Sequence, residues 1–230
     1  MFPKDFVWGV ASSAYQVEGT DAKDGRGKNI WDEFARSGRV YEHQTAEVCC
    51  DHMHRYREDF ALMRMLGIKN YRFSISWSRI LPEGTGKVNE KAVQMYRDMI
   101  LCMKENGIRP FITLFHWEFP YELFKKGGWL NDEVVQWFGE YAKVVAENFS
   151  DLCSDFITIN EPQCAIGLGH LNGTCTGNEI FHSGDFSDGT QSDESTWSGG
   201  HQSAQICKTE DTGWICSDLW RCISGDRECR

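Results

Sequence analysis

Three features that would assign a chain to a membrane, secreted or nucleic-acid-binding class are missing from this sequence. No run of about eighteen or more apolar residues occurs, and no basic segment followed by a long apolar stretch stands at the N-terminus. Clustered Lys and Arg are also lacking, and the formal net charge is -10, which argues against contacts with duplex phosphates. We therefore predict a cytoplasmic protein with no membrane or nucleic-acid partner, whose partner is an uncharged or weakly charged small molecule.

Metal-ligand spacing is absent as well, although the chain has 10 cysteines. Without a signal peptide these are expected to be reduced thiols. Four cysteines in the last quarter have neither C-x-x-C spacing nor a histidine at zinc-finger spacing: Cys207, Cys216, Cys222 and Cys229. A second metal-like group lies on the first predicted helix: Cys49, Cys50, His52 and His54. No metal and no cofactor is predicted.

The first three quarters of the chain have a regular pattern. The composition, 41% hydrophobic and 25% charged, is that of a soluble globular protein. From Met1 to Thr174, short β-like runs alternate with longer amphipathic stretches, which is typical of βα units around a parallel sheet. Four strands are predicted, in the segments FVWGVA, NYRFSIS, RPFITLFHW and FITIN.

Three helices are predicted between these strands. The first runs from about Thr45 to Leu66 before Gly67, the second lies between its cap Asn89 and Gly107, and the third is capped by Asn131. Asp132 and Glu133 are expected in the first turn of the third helix, where they would complement its dipole. The spacing predicts buried faces formed by Val48, Tyr56, Phe60 and Met63, by Val93, Tyr96, Ile100 and Met103, and by Trp137, Tyr141 and Val145.

Four strands with three crossover helices are half of a closed barrel. The predicted fold class is therefore α/β, a partial TIM (β/α)8 barrel made of its first four βα units, since a complete barrel needs roughly 250 residues. After Thr174 the periodicity stops, and residues 175–230 are predicted to form an irregular tail.

Polar side chains fall at or near the ends of the predicted strands, where barrels of this kind carry their function. Gln16 follows the first strand and Arg72 lies on the second. His116 with Trp117 ends the third strand, and Asn160 with Glu161 ends the fourth. Taken singly, Gln16 could be a turn residue, His116 a core histidine and Glu161 part of a surface loop. Together they are expected to face one mouth of the barrel.

Several segments, in order and spacing, resemble the signature segments of glycoside hydrolase family 1. They are FPKDFVWGVASSAYQVEG, YRFSISWSRILPEG, TLFHWEFP followed by GGW, and TINEP, which together cover about Phe2 to Thr174. The ITINEP form resembles the β-glucosidase branch rather than the 6-phospho-β-glucosidase branch. Two small departures occur, because the family commonly has Asp-Leu where Glu118 and Phe119 stand, and neither position matches a family role.

The resemblance implies a role for each candidate residue. Glu161 matches the acid/base carboxylate, and Asn160 matches the residue that contacts the sugar 2-hydroxyl. Gln16, His116 and Trp117 match contacts to the sugar in the first subsite, with Trp117 offering a flat ring face. Arg72 matches the arginine beside the nucleophile. The implied partner is a small β-glucoside or oligosaccharide.

One part of the implied chemistry is missing. Retaining hydrolysis needs a second carboxylate about 5 to 5.5 Å from the acid, and the family nucleophile lies in an I/V-T-E-N-G segment that these 230 residues do not contain. We therefore expect a β-glucosidase by family with little or no activity of its own. The alternatives are a non-catalytic sugar-binding or interaction fragment and a decayed gene product. Unpaired edges at the first and fourth strands would favour self-association.

We hypothesise that the tail is translated out of frame; a low-complexity linker is the other interpretation. Family members usually continue with a His-Ala-Pro-Gly segment and a helix containing AHN and AHG. Restoring two bases before Cys175 permits, with some free choice of synonymous codons, the translation HAPGMKYSTPEIFQMAHNLMKAHGRAV. The single Trp codon forces glycine in that frame at Trp197 and Trp214. A determined gene sequence with neither AHN nor AHG in another frame would contradict the hypothesis.

Overall fold

The computed structural model describes residues 2–20, 22–165 and 207–208. The strands are β1 Val10–Ala11, β2 Asn70–Ser74, β3 Arg109–Phe115, β4 Asp155–Ile159 and β5 Cys207–Lys208. The helices are α1 Ala14–Val17, α2 Ile30–Arg36, α3 His52–Met65, α4 Trp77–Ile80, α5 Glu90–Glu105, α6 Tyr121–Phe124, α7 Val134–Phe149 and α8 Pro162–Cys164. Short 3-10 helices occur at Ala22–Asp24, Tyr41–His43 and Gly128–Leu130.

The sheet has the order β1-β2-β3-β4-β5, and its first four strands are parallel. The register places Arg72 between Ala11 on one side and Phe111 on the other, and it places Phe115 opposite Ile159. Helices α3, α5 and α7 connect these four strands, as expected for the first four βα units of a barrel. Parallel strands that neighbour each other in sequence bring their carboxyl ends to one edge of the sheet.

The second predicted crossover helix is placed as expected. The Asn89 side chain accepts a hydrogen bond from the Ala92 backbone N–H, so Asn89 caps α5, and Gly107 follows the helix with a φ of 71°. The buried face of α5 contains Tyr96, Ile100 and Met103, all fully buried.

Helix α7 buries its predicted face in the same core. Its Tyr141 ring stacks on Trp77 with centroids 4.8 Å apart. The Tyr141 hydroxyl lies within hydrogen-bond distance of both the Ile75 carbonyl at 3.0 Å and the Leu114 carbonyl at 2.9 Å. A tyrosine buried in this way needs such partners, because an unpaired hydroxyl in an apolar core is costly. The contacts join α7 to the loop after β2 and to β3.

The first predicted helix begins later than expected. Helix α3 starts at His52, and the residues before it turn through left-handed conformations at Cys49 and Asp51, with φ values of 49° and 54°. Val48 was predicted on the buried face but is 65% exposed. The backbone carbonyl of Glu47 accepts a hydrogen bond from the Thr20 N–H. The chain around Glu47 therefore pairs with the residues after α1 and does not form the first turns of α3.

Three other predictions need correction. The strand predicted over FVWGVA is reduced to Val10–Ala11. Asn131 caps a tight turn, since its side chain accepts from the Glu133 N–H at 2.9 Å, but α7 begins at Val134, so Asp132 and Glu133 precede it. The outer edge of β4 is partly paired, because the short strand β5 binds it antiparallel.

The remainder of the predicted tail lies outside the described residues. This part includes three of its cysteines and the two tryptophans on which the out-of-frame hypothesis depends: Cys216, Cys222, Cys229, Trp197 and Trp214. Within the described ranges, no helix combines the length and the apolarity that crossing a membrane requires.

Candidate active site

Four of the predicted site residues form one hydrogen-bonded group at the carboxyl edge of the sheet. Arg72 Nη1 lies 2.7 Å from Asn160 Oδ1, and Asn160 Nδ2 lies 3.2 Å from His116 Nε2. The Trp117 indole Nε1 donates to the Asn160 backbone carbonyl at 2.8 Å. Asn160 itself continues the β4 ladder, since its N–H donates to the Phe115 carbonyl. Strands β2, β3 and β4 thus converge on Asn160.

The network fixes the protonation state of His116. Arg72 can only donate, so the Asn160 amide must turn its oxygen to Arg72 and its NH2 group to His116. His116 Nε2 is then an acceptor, and the ring proton lies on Nδ1, which has no hydrogen-bond partner within the described chain. Burial, and secondarily the positive charge of Arg72, lowers the pKa of His116 from 6.5 to about 4. The imidazole is therefore neutral at physiological pH.

Two residues of the site have left-handed backbone conformations that non-glycine residues adopt rarely. Trp117 has a φ of 72°, and Glu161 has a φ of 44°. Such conformations cost of order 1–3 kcal/mol and persist where surrounding contacts hold them. In Trp117 the indole bond to Asn160 is one such contact. Glu161 precedes Pro162, which begins α8, and its carbonyl accepts from the Cys164 N–H.

Glu161 and Gln16 stand apart from this hydrogen-bonded group. Both residues are exposed, Glu161 at the N-terminus of α8 and Gln16 on α1. Within the described part of the chain, neither side chain hydrogen-bonds to the Arg72, Asn160, His116 and Trp117 group. Exposure leaves both of them free to meet a ligand from solvent.

A buried polar layer adjoins the site, and no role was predicted for the residues that form it. Glu118, the residue after Trp117, is only 3% exposed. Its Oε1 accepts from Asn29 Nδ2 at 3.1 Å and from Ser76 Oγ at 3.0 Å, while Oε2 has no hydrogen-bond partner among the described residues. Burial first, and the charge of Glu18 second, raise the pKa of Glu118 to about 7.

Glu18 continues this layer on the other side of Ser76. The Tyr96 hydroxyl accepts from the Ser76 N–H at 3.0 Å and donates to Glu18 at 2.9 Å. Glu18 also pairs with the buried Arg79 at 3.3 Å. Burial raises the pKa of Glu18, and the Arg79 guanidinium and the Tyr96 hydroxyl oppose that rise. A signal was available in the sequence for Glu118, because it is the single carboxylate in the largely apolar segment TLFHWEFP. Glu18 stands in a polar segment, which gave no such signal.

Comparison with known proteins identifies relatives over most of the chain. The glycosyl hydrolase family 1 model matches residues 1–191. Beta-glucosidase A of Thermotoga maritima is 49% identical over 173 residues, which are 75% of this chain and 39% of that protein. A 1,4-beta-D-glucan glucohydrolase of Thermotoga neapolitana is 48% identical over 173 residues, 75% of this chain and 41% of that protein. Beta-glucosidase 4 of rice, Oryza sativa subsp. japonica, is 50% identical over 184 residues, 76% of this chain and 38% of that protein.

Solved structures agree with this match. The beta-glucosidase from Thermotoga maritima in complex with glucoimidazole superposes with a TM-score of 0.73 at 48% identity, over 75% of this chain and 40% of that one. The complex of the same enzyme with deoxynojirimycin has the same score and coverage. The predicted fold class, a partial α/β TIM barrel, is thereby confirmed. The chain spans about two fifths of the length of these relatives.

Proposed function

The chain belongs to glycosyl hydrolase family 1, and from this we propose that it carries the sugar-contacting and acid/base half of a retaining β-glucosidase site. Relatives at 48 to 50% identity are named β-glucosidases or 1,4-β-D-glucan glucohydrolases. The substrate class is a terminal β-glucoside or a small β-linked oligosaccharide. A cytoplasmic location and a part in carbohydrate metabolism stay predictions.

The observation that carries the proposal is the group of side chains that meets at Asn160. In this proposal Asn160 contacts the sugar 2-hydroxyl, His116 and Trp117 contact the sugar ring, and Gln16 completes that subsite from α1. Arg72 gives Asn160 a fixed orientation at 2.7 Å, which reduces the entropy lost when a sugar binds. Fixed donors and acceptors beside a flat aromatic ring are what recognition of a pyranose requires.

Glu161 is proposed as the group that protonates the leaving oxygen and later activates water. Its exposed position after β4 leaves room for an aglycone. Retaining chemistry requires a second carboxylate to attack the anomeric carbon, and the I/V-T-E-N-G segment that supplies it in the family does not occur in the 230 residues. We therefore propose that this chain by itself hydrolyses β-glucosides little or not at all.

Hydrolysis of an aryl β-glucoside by the purified chain tests this proposal. We expect the wild type and the Glu161→Gln variant to release aryl alcohol at the same rate as buffer. Release by the wild type that Glu161→Gln abolishes would overturn the proposed inactivity while supporting the role of Glu161. Release that is unchanged in Glu161→Gln would contradict that role or reveal a contaminating enzyme, and a preparation of the same host without this chain separates the two.

Calorimetric titration separates the alternatives if no turnover is found. We expect no measurable heat with glucose or deoxynojirimycin, because the rest of the subsite wall lies beyond the residues shared with the relatives. Binding that Gln16→Ala and Trp117→Ala weaken would favour a non-catalytic sugar-binding fragment. Absence of binding in a folded chain would leave a decayed product as the remaining interpretation.

A further inference from the structure

The buried carboxyl group of Glu118 lies directly behind the proposed sugar contacts. Glu118 follows Trp117, whose φ of 72° reverses the chain so that residue 118 points into the core. One carboxyl oxygen binds two donors that come from elsewhere in the chain: Asn29, which caps α2, and Ser76, which precedes α4. Glu118 thus joins three segments of the chain through the hydrogen bonds of one carboxyl oxygen.

Backbone hydrogen bonds hold the same segments together around this carboxyl group. The Ile30 N–H donates to the Phe119 carbonyl, and the Tyr121 N–H donates to the Lys28 carbonyl, each at 2.9 Å. The Asn29 side chain cannot easily turn away from Glu118, because its oxygen accepts from the Asp32 N–H in a capping box. The Asn29 donor is thus fixed, and it holds the Glu118 side chain in place.

We propose that Glu118 is a positioning residue of this site: its buried carboxyl group anchors the left-handed His116–Trp117 turn to Asn29 and Ser76. The inference rests on the proposed function only in taking His116 and Trp117 as sugar contacts. It assigns a role to a position that is neither a sugar contact nor an acid/base group.

The anchor is expected to depend on the protonation of Glu118. Both donors to the carboxyl group are neutral, and its second oxygen is buried without a partner in the described chain. Ionisation of Glu118 near pH 7 would place a negative charge on this carboxyl group and change its hydrogen bonds with Asn29 and Ser76. Besides burial, which raises the pKa of Glu118 most, Glu18 raises it and Arg26 and Arg79 lower it. Three tyrosines respond to the charge of Glu118, since it raises the pKa of each: Tyr15, Tyr96 and Tyr141.

Nuclear magnetic resonance of the full chain tests the coupling. The reporter is the indole N–H resonance of Trp117, assigned with Trp117→Phe, because this N–H donates to the Asn160 carbonyl. In the wild type we expect the resonance to titrate with a midpoint near pH 7. Glu118→Gln should abolish the titration, and Glu118→Asp should retain it, because the shorter side chain is still an acid.

Two further variants sharpen the result. Glu18→Gln removes the neighbouring carboxylate and should lower the midpoint, because Glu18 raises the pKa of Glu118. Glu122→Gln is the matched control, because Glu122 lies four residues after Glu118 but pairs with Lys125 at the surface, and it should leave the midpoint unchanged.

Several outcomes would overturn the proposal. A Trp117 resonance that is flat from pH 5 to 9 in the wild type, or one that titrates identically in Glu118→Gln, contradicts it. If Glu118→Gln does not fold, the carboxyl carbon resonance of Glu118 in the wild type must titrate together with the Trp117 indole, and separate midpoints refute the coupling. Hydrolysis of an aryl β-glucoside by this chain that Glu161→Gln leaves unchanged would refute the proposed role of Glu161 and leave the anchor intact.

Discussion

Arg72 on β2 and Asn160 at the end of β4 are joined by a hydrogen bond of 2.7 Å that spans the intervening strand β3. Asn160 is only 8% exposed, so its amide oxygen depends on Arg72 as a protein partner. The same amide presents its NH2 group to His116. One side chain thus sets the orientation of two residues that we propose as sugar contacts.

Arg72→Met should destabilise the fold by about 1–3 kcal/mol, because it leaves the buried Asn160 oxygen without its partner. Urea unfolding followed by tryptophan fluorescence measures the loss. Arg36→Met is the control, since the Arg36 side chain is exposed and its partner Glu33 keeps a second cation, Lys28, so its loss should be much smaller than that of Arg72→Met. Equal losses of unfolding free energy in the two variants would show that the contact between Arg72 and Asn160 stabilises the fold no more than a surface ion pair does.

His116 should lower the stability of the chain as the pH falls. Its folded pKa is about 4 and its ordinary value is 6.5. As the pH falls below 6.5, the unfolded chain binds a proton at His116, whereas the folded chain binds it only near pH 4. The free energy of unfolding is therefore unaffected by His116 above pH 6.5 and decreases as the pH falls from 6.5 to 4. His116→Gln should lose this decline between pH 7 and 4.5. Parallel stability profiles for wild type and variant would contradict the assignment.

The same histidine offers a second measurement. Arg72→Met removes the positive charge that helps to lower the pKa of His116, so the histidine pKa should rise toward its ordinary value. Titration of the imidazole carbon-bound proton resonances in wild type and variant detects that change. An unchanged or lower pKa would mean that burial alone accounts for the shift.

Most of the barrel pattern could be predicted because its signals are local. Strand β3 is mostly apolar and is buried from Pro110 to Phe115, as expected of a parallel strand buried on both faces. Helix α5 lies between an asparagine cap and a glycine. The start of α3 could not be predicted this way. Its first residues are displaced by left-handed turns at Cys49 and Asp51, and the Glu47 carbonyl pairs with distant Thr20.

The residues of the site likewise include some that local sequence signals predict and one that they do not. Arg72, His116 and Asn160 could be grouped in advance, since residues near the carboxyl ends of neighbouring parallel strands meet at one edge. The role of Glu118 could not be inferred from its neighbours. Its partner Asn29 is 89 positions away in sequence, and nothing in a single sequence indicates which distant amide will face a given carboxylate.

Arg109→Met should cost about 1–3 kcal/mol, because it removes the charged partner of a buried carboxylate, although the Arg109 side chain itself is 43% exposed. Asp155 at the start of β4 is 2% exposed and receives two hydrogen bonds from Arg109 at 2.8 and 2.7 Å. Removal of the guanidinium leaves Ser154 as the remaining side-chain donor to Asp155. Thermal or urea unfolding at pH 7 measures the change.

The control for that variant is Lys143→Met on α7. Lys143 pairs with Glu147 at 3.8 Å, and both side chains are mostly exposed, so its loss should amount to less than about 1 kcal/mol. The double variant Arg109→Met with Asp155→Asn should recover part of the loss, because the neutral amide no longer leaves a charge unpaired. Failure of the double variant to recover any stability would contradict the charge argument.

Gly27→Ala should be among the most damaging single substitutions in the described chain. A Cβ at Gly27 would lie 1.9 Å from the Pro82 carbonyl oxygen, which is backbone and cannot rotate away. The Gly27 N–H also donates to the Ser78 carbonyl at 2.8 Å, so the segment cannot shift without losing that bond. We expect a loss of more than about 3 kcal/mol, in the range of severe steric defects.

Gly67→Ala provides the comparison that separates steric clash from backbone strain. Gly67 has a φ of 76°, and an added Cβ would meet nothing within 4 Å. The expected loss is therefore only the left-handed penalty, about 1–2 kcal/mol. Chemical denaturation of both variants under identical conditions gives the two free energies of unfolding. A larger loss for Gly67→Ala than for Gly27→Ala would show that the turn after α3 matters more than the close approach between Gly27 and Pro82.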